Sequence, residues 1–264
     1  MDKGFVVIAN NTKTVDYVSI AEALAKSVKN AMPYANITLI YDDVDSSKYF
    51  DKVVALPYGD LDKEGDWRLI NDWQVYQASP YEYTIKLEAD LFIPASIDFW
   101  WDTLQSRDVV VSTKIRNFKQ QISTNRYYRK FIDTNNLPDV YNALTYFKKS
   151  ELAEKFFLIV KDVFVNWESY RSELKCPITE QVSTDWAYAI ACLILGEDNT
   201  TLRNFDSMSM IHMKQQINDL VTEDWTDTLV YEISNKQLRV NTIPQMYPFH
   251  YHVKKFAKFI NEKL

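Results

Sequence analysis

The segment Thr84-Ile85-Lys86-Leu87-Glu88-Ala89-Asp90-Leu91-Phe92-Ile93-Pro94 carries two carboxylates, two residues apart, in an otherwise apolar run. Burying a charged side chain without a partner costs too much for an ordinary core strand. The segment therefore predicts an internal strand that stops at Glu88 and Asp90, with both side chains facing a site. Hard divalent cations take carboxylate oxygens, so the site suits a metal ion. Asp43 and Asp45, and Asp60 and Asp62, share this spacing, but they stand in polar, turn-like surroundings and read as solvated loops. Position, rather than spacing, separates Glu88 and Asp90 from them.

The flanking pattern alternates strands and helices. Phe5–Ala9 is a short continuous apolar run that suits a central parallel strand. Val18, Ala21, Leu24, Ala25, Val28 and Met32 recur at helical spacing, with a start at Thr14 or a capping box of Ser19 and Glu22. Strands follow at Ile37–Tyr41, which runs into Asp42 and Asp43, and at Lys52–Leu56. A helix is expected over Asp66–Ala78, with Trp67, Ile70 and Trp73 on one face, then the strand Tyr83–Leu87 and a short helix Ile97–Leu104. Asp108–Ser112 and an alternating Tyr141–Phe147 read as strands, Glu151–Trp167 and Ser183–Leu195 as helices, the latter closed by Gly196. Short strands at Met208–Met213 and Gln237–Asn241 precede a basic helix over Phe249–Leu264. This order predicts an α/β fold, a single domain over residues 1–264 whose mixed, mostly parallel sheet is flanked by helices and carries a site along its carboxyl edge.

Composition narrows the function. The 264 residues are 47% hydrophobic, enough for a large core. A net charge of −6 argues against bulk affinity for nucleic acid. With only four glycines, neither the dinucleotide fingerprint nor the P-loop occurs. Cys176 and Cys192 lack metal-ligand spacing and fit a reducing compartment. No apolar run reaches the length of a signal region or a membrane span, so a soluble, cytoplasmic protein without membrane contact is expected.

A second unusual segment runs from Lys114 to Lys130. It holds Lys114, Arg116, Lys119, Arg126, Arg129 and Lys130 with no acidic residue, interleaved with Phe118, Tyr127 and Tyr128. Such a segment either tracks a polyanion such as DNA or forms a solvated basic face. The histidines leave a choice too. His212 is followed by Lys214, and the pair His250 and His252 is followed by Lys254, so the His/Lys pattern occurs twice. Asp185 can act at a site or simply favour a helix first turn, and Asn142 can contact a ligand or end a turn.

Taken in order over residues 5–215, these features resemble the GT-A fold glycosyltransferases, and within them the glycogenin-like nucleotide-sugar transferases. Ala9-Asn10-Asn11-Thr12, Tyr17 and Ala25-Lys26-Ser27 look like the family's opening strand, nucleotide loop and first helix. Lys86-Leu87-Glu88-Ala89-Asp90 is similar to its acidic metal motif, and Asn142-Ala143-Leu144-Thr145-Tyr146-Phe147 to its sugar-contacting strand. Glu180-Gln181 with Asp185 lies where the family carries an acid and an amide near the reacting sugar, and Ile211-His212-Met213-Lys214 is similar to its late metal histidine and lysine. Three departures stand out: Glu88 opens the metal motif where the family has Asp, Leu144 replaces a glycine, and the His–Lys spacing is short. The chain also resembles compact glycosyltransferases of large tailed phages, some of which modify hydroxymethylcytosine in DNA; that likeness implies the host cytoplasm.

The resemblance implies a nucleoside diphosphate-sugar donor, a UDP-sugar, together with Mn²⁺ or Mg²⁺. Asp90 would bind the metal directly, Glu88 through water or at the ribose, and His212 would complete the shell, with His250 and His252 as competitors. Asn10, Asn11, Thr12, Tyr17, Lys86 and Lys214 would hold the donor; Asp185, Gln181 and Asn142 would face the reacting sugar. A nucleotide and metal half would span about 1–113. An acceptor half, about 114–264, would use Lys114, Arg116, Lys119, Arg126 and Arg129. Retention of configuration follows by the same likeness. Two other functions use the same residues: a metal-dependent phosphohydrolase or nuclease, and a non-catalytic nucleic-acid binder working through residues 114–130.

Overall fold

The computed structural model describes residues 2–41, 48–65, 68–175, 181–202 and 208–264. The predicted features at Asp42, Asp43, Asp45, Asp66, Trp67, Cys176 and Glu180 lie outside these residues. In chain order come β1 (Lys3–Ile8), α1 (Tyr17–Ala31), β2 (Ile37–Ile40) and β3 (Lys52–Val54), then a 3₁₀ turn (Leu69–Gln74) running into α2 (Val75–Ala78). Next are β4 (Tyr83–Leu87), β5 (Leu91–Phe92), α3 (Trp100–Leu104), β6 (Val109–Ser112), β7 (Ile115–Arg116), α4 (Lys130–Thr134) and β8 (Tyr141–Lys148). Helices α5 (Glu151–Val165), α6 (Trp167–Glu173), α7 (Thr184–Leu195) and α8 (Glu197–Thr200) follow, then β9 (Met210–His212) and α9 (Gln215–Asn218). The last elements are β10 (Tyr231–Ser234), β11 (Gln237–Val240), β12 (Ile243–Pro244), β13 (Phe249–His250) and α10 (Lys255–Lys263).

The main sheet has the order β3-β2-β1-β4-β8-β6. Its first four strands are parallel; β8 runs antiparallel to both β4 and β6, so the sheet is mixed and mostly parallel, as predicted. Side chains alternate across it. Phe5, Val7, Ile85 and Leu87 join the core on one face, and Val6, Val109 and Val111 the core on the other. Cover on both faces explains why these strands read as unbroken apolar runs. It also explains β8, which alternates in sequence yet is buried from Tyr141 to Phe147.

A second sheet, β5-β13-β9-β7, starts where β4 ends, and β10, β11 and β12 form a small antiparallel sheet. The α1 segment locks the first two sheets together. Buried Ser27 donates to the Leu24 carbonyl at 2.7 Å and accepts from the Ile93 amide at 3.0 Å.

Several local expectations change. Asp16 caps α1, accepting from the Ser19 amide at 3.0 Å, in place of Thr14 or Ser19. The helix expected over Asp66–Ala78 is mostly the 3₁₀ turn, because Asn71 and Gln74 turn their side chains to the preceding loop. Their oxygens accept from Leu61 and Tyr58 amides at 2.9 Å each, which competes with regular helix. Asp60 is not solvated: Arg68 Nη1 lies 2.5 Å from its Oδ2 and Asn71 Nδ2 lies 2.7 Å from its Oδ1. The helix from Glu151 breaks at Asn166, whose amide donates to Asp162 Oδ1 at 2.7 Å. Phe249 and His250 leave the terminal helix to form β13, because pairing with β5 and β9 satisfies their backbone. Cys192 is buried, and burial pushes its thiol up to about 12. Among the described residues no helix is long and apolar enough to cross a membrane.

The fit is tight at Gly4, where a β-carbon would stand 2.5 Å from the ring of buried Tyr81, which is itself fixed by a 2.7 Å hydrogen bond to Thr38. Gly4→Ala is expected to destabilise the protein by about 1–3 kcal/mol, read from urea unfolding followed by circular dichroism.

Candidate active site

Glu88 and Asp90 occupy the corner where the chain leaves the main sheet at β4 and enters the second sheet at β5. Backbone bonds clamp this corner: Glu88 N to Ala143 O at 3.0 Å, Leu91 N to Glu88 O at 3.2 Å, and Tyr251 N to Asp90 O at 3.1 Å. Strand register then chooses the neighbours. β8 sets Leu144 opposite Leu87, which brings Asn142 to the corner, where its Nδ2 donates to Glu88 Oε1 at 2.8 Å. β13 sets His250 opposite Leu91 on one side and beside His212 on the other.

The three histidines of the chain consequently meet at one place. His250 is the one against the carboxylates, with Nε2 3.1 Å from Asp90 Oδ1 and 3.3 Å from Glu88 Oε2. His212, expected to complete the metal shell, stands behind it, with Nδ1 3.1 Å from His250 Nδ1 and 3.3 Å from His252 Nε2. Lys254 Nζ lies 2.6 Å from Asp90 Oδ2.

Burial and charge divide the titrating groups. Burial raises the Glu88 carboxyl, with His250 and Lys86 only partly offsetting it. Burial works the same way on Asp90, but His250 and Lys254 overcome it and hold that carboxyl well below the usual carboxylate range. Burial also opposes charge on His250, yet Asp90 and Glu88 raise it above an ordinary imidazole. His212 and His252 are held well below that range, first by burial and then by the neighbouring imidazoles.

A cavity of about 490 Å³ opens on this corner, lined among others by Asn10, Thr12, Tyr17, Lys86, Asn142, Asp185 and Lys214. Asn10, at the end of β1, is 7% exposed, and neither polar atom of its side chain has a hydrogen-bond partner. A buried amide left unpaired at a cavity wall lacks the partner that such groups ordinarily have. The sequence placed Asn11 and Thr12 beside it, but their side-chain oxygens are used internally, by the Val18 amide at 2.9 Å and the Val15 amide at 3.0 Å. Tyr17 lies under the Lys254 ammonium, 5.3 Å from ring centre to Nζ. Lys214 lies 5.2 Å over the Tyr128 ring.

Asp185 enters the cavity from the first turn of α7 because Ser183 caps that helix. Its Oδ1 accepts from the Asn142 amide and its Oδ2 from Arg129 Nη1, both at 2.9 Å. Gln181 is exposed and does not line the cavity. Lys86 is buried, with Nζ 2.5 Å from Asp72 Oδ1, and Tyr188 donates to Asp72 Oδ2 at 2.5 Å. Asp72 also lines the cavity and went unnoticed in the sequence, since a lone acid within a helix-like stretch reads as a solvated face.

The basic segment is mostly an internal scaffold. Arg116 is buried, bonded to Ser209 Oγ at 3.0 Å and the Gln120 carbonyl at 2.8 Å. Arg126 pairs with Asp133 and Asp139, and Arg129 with Asp139 and Asp185. Lys119 and Lys130 are exposed, the latter 4.5 Å over Tyr127. The acids that pair with Arg126 and Arg129, at positions 133, 139 and 185, and the serine that holds Arg116, at position 209, all lie beyond the segment, so the segment alone does not reveal these bonds.

No protein-family profile matches this sequence, and neither does any curated protein. Solved structures do. A galactosyltransferase, LgtC, crystallised with donor and acceptor sugar analogs, aligns with 100% of this chain and 96% of its own at 14% identity, with a TM-score of 0.52. Mouse xyloside xylosyltransferase 1 aligns with 96% of this chain and 98% of its own at 9% identity, TM-score 0.53. The glycosyltransferase GlyE of Streptococcus pneumoniae aligns with 98% of this chain and 60% of its own at 8% identity, TM-score 0.51. The architecture of this chain is thus the GT-A fold that these glycosyltransferases share.

Proposed function

We propose that the chain is a metal-dependent glycosyltransferase that moves a sugar from a nucleoside diphosphate-sugar, a UDP-sugar, to an acceptor. One observation carries this reading. The carboxylate corner with His250, and the unpartnered amide of Asn10, face the same 490 Å³ cavity on a sugar-transferase fold. Asn10 suits the polar edge of a base or ribose, which offers both donors and acceptors.

The corner fits the implied cation. Glu88, Asp90 and His250 each offer a ligand atom within 4.8 Å of the others, and carboxylates with an imidazole suit Mn²⁺ and, more weakly, Mg²⁺. Bound there, the ion would supply Lewis-acid stabilisation of charge on a departing diphosphate. Lys254 now neutralises Asp90; with a cation on that carboxylate, its ammonium is available to the diphosphate as a point charge, joined by Lys214. Asn142 holds Glu88 in orientation. Asp185, fixed by Asn142 and Arg129, is preorganised for the reacting sugar. Gln181 shares that assignment by the family likeness alone, as does retention of configuration. Residues 1–264 act as one unit, whose donor site takes Asn10 and Asp90 from the first half and His250 and Lys254 from the second. An acceptor of modified DNA draws its support from Lys119 and Lys130, whereas Arg116, Arg126 and Arg129 are already committed to internal partners.

UDP with Mn²⁺ is expected to raise the melting temperature, the stabilisation reaching about 2.7 kcal/mol at a hundredfold excess over Kd. No shift with any common nucleoside diphosphate would overturn the reading. Asp90→Asn is expected to cost roughly 10²–10³-fold in turnover while the far-UV circular dichroism stays unchanged. The assay is mass spectrometry of products across sugar donors, with hydroxymethylcytosine DNA and simple sugars as acceptors. Metal-dependent cleavage of a phosphoester without any sugar donor would replace transfer with hydrolysis.

A further inference from the structure

The donor site above uses only one nitrogen of one histidine. We propose that His212 Nδ1, His250 Nδ1 and His252 Nε2 form a separate site for a nitrogen-preferring transition-metal ion, of which Zn²⁺ is the representative. This goes beyond the transferase reading and does not rest on it.

Distance is the first argument. With metal–nitrogen bonds of about 2.0–2.1 Å, two ligands of a tetrahedral site stand roughly 3.3 Å apart. His212 Nδ1 lies 3.1 Å from His250 Nδ1 and 3.3 Å from His252 Nε2.

Proton accounting is the second. A neutral imidazole has one N–H and one lone pair. His212 Nδ1 faces two other ring nitrogens, and with a single proton or a single lone pair it can bond well to only one of them. The other close contact then sets nitrogen against nitrogen without a well-aligned proton. A cation at the centre accepts all three lone pairs and removes the conflict.

The surroundings supply the third. His250 directs Nε2 to Asp90 at 3.1 Å; without the donor-site cation a proton there leaves the Nδ1 lone pair aimed at the cluster, and with that cation bound the ring gives up this proton and offers a lone pair at each nitrogen. A carboxylate holding the far nitrogen of a metal-bound histidine is the usual outer-shell arrangement. His252 adopts a left-handed backbone (φ 56°), uncommon for a residue with a β-carbon. Its ring centre nonetheless lies 4.0 Å from that of His250 and 4.5 Å from that of His212. The rings of Tyr141 and Tyr128 flank His212 at 5.8 and 6.3 Å. An ion here ties β9 to the residues after β13 and so fixes His250 against Asp90, while Asp90 and Glu88 keep oxygens for a hard cation.

Co²⁺ is the probe, because its visible absorption reports four-coordinate nitrogen ligation. The full chain, stripped with chelator, is expected to gain the four-coordinate band on adding Co²⁺ and to lose it on adding Zn²⁺. Glu88→Gln is expected to keep the Co²⁺ band while losing sugar transfer, which separates this proposal from the donor-site reading. His212→Gln and His252→Gln are expected to weaken Co²⁺ binding by more than the roughly 10–100-fold that loss of an outer-shell partner costs. His252 is only half-buried, so its variant decides the matter if His212→Gln fails to fold by circular dichroism. The proposal is overturned if the wild-type chain gives no band at micromolar Co²⁺. It is equally overturned if the band disappears in Glu88→Gln but survives in His252→Gln.

Discussion

Asp90 can be an ionised side chain inside this protein because His250 and Lys254 lie against its two oxygens. An uncompensated charge at that depth would cost several kcal/mol. Much of the architecture follows from meeting this need. The partners sit more than 150 positions further along the chain, at 250 and 254, so β13 has to return to the edge of β5 and the terminal helix has to start just beyond it. The second sheet exists to hold that return, and β9 extends it with the other histidine-bearing strand.

From the corner outward, polar groups are satisfied in sequence. Asn142 joins Glu88 to the α7 terminus by its side chain and its backbone, giving Glu88 one bond and Asp185 another. Arg129 completes Asp185 and then spends its remaining hydrogens on Asp139 and the Val140 carbonyl. Deeper in the cavity, Lys86 pairs with Asp72, to which Tyr188 also donates, and reaches the Asn142 carbonyl at 3.3 Å, which ties this group to the corner. Such networks are rigid when every member is partnered, because each bond is strengthened by the low dielectric around it. The unpartnered amide of Asn10 therefore stands out, and so do three imidazoles that share too few protons.

Parts of this were legible in the residues. The apolar run from Phe5 and the helical spacing after Val18 produced β1 and α1, because burial on both faces of a strand and on one stripe of a helix writes its period directly into sequence. The end of an internal strand at Glu88 was legible for the same reason. Boundaries governed by side chains turning back on the chain were not. Asp16 took the cap from Thr14 and Ser19, and Asn71 and Gln74 converted an expected helix into a 3₁₀ turn, since the competing bonds reach residues placed only by folding. The basic run from Lys114 to Lys130 resembled a binding face because its acids lie elsewhere in the chain.

The sequence by itself determined an α/β architecture, the order of most of its elements, and a pair of carboxylates stranded at the edge of the sheet, because these depend on period and on the cost of burying charge. Only the tertiary structure decided which histidine meets Asp90. His212 and His250 carry the same local pattern, a histidine in an extended stretch with a lysine behind it. Register separates them: β13 pairs with β5 and puts His250 at the corner, while β9 lies one strand further away and leaves His212 behind it. Strand partnership is a long-range property, and no local spacing encodes it.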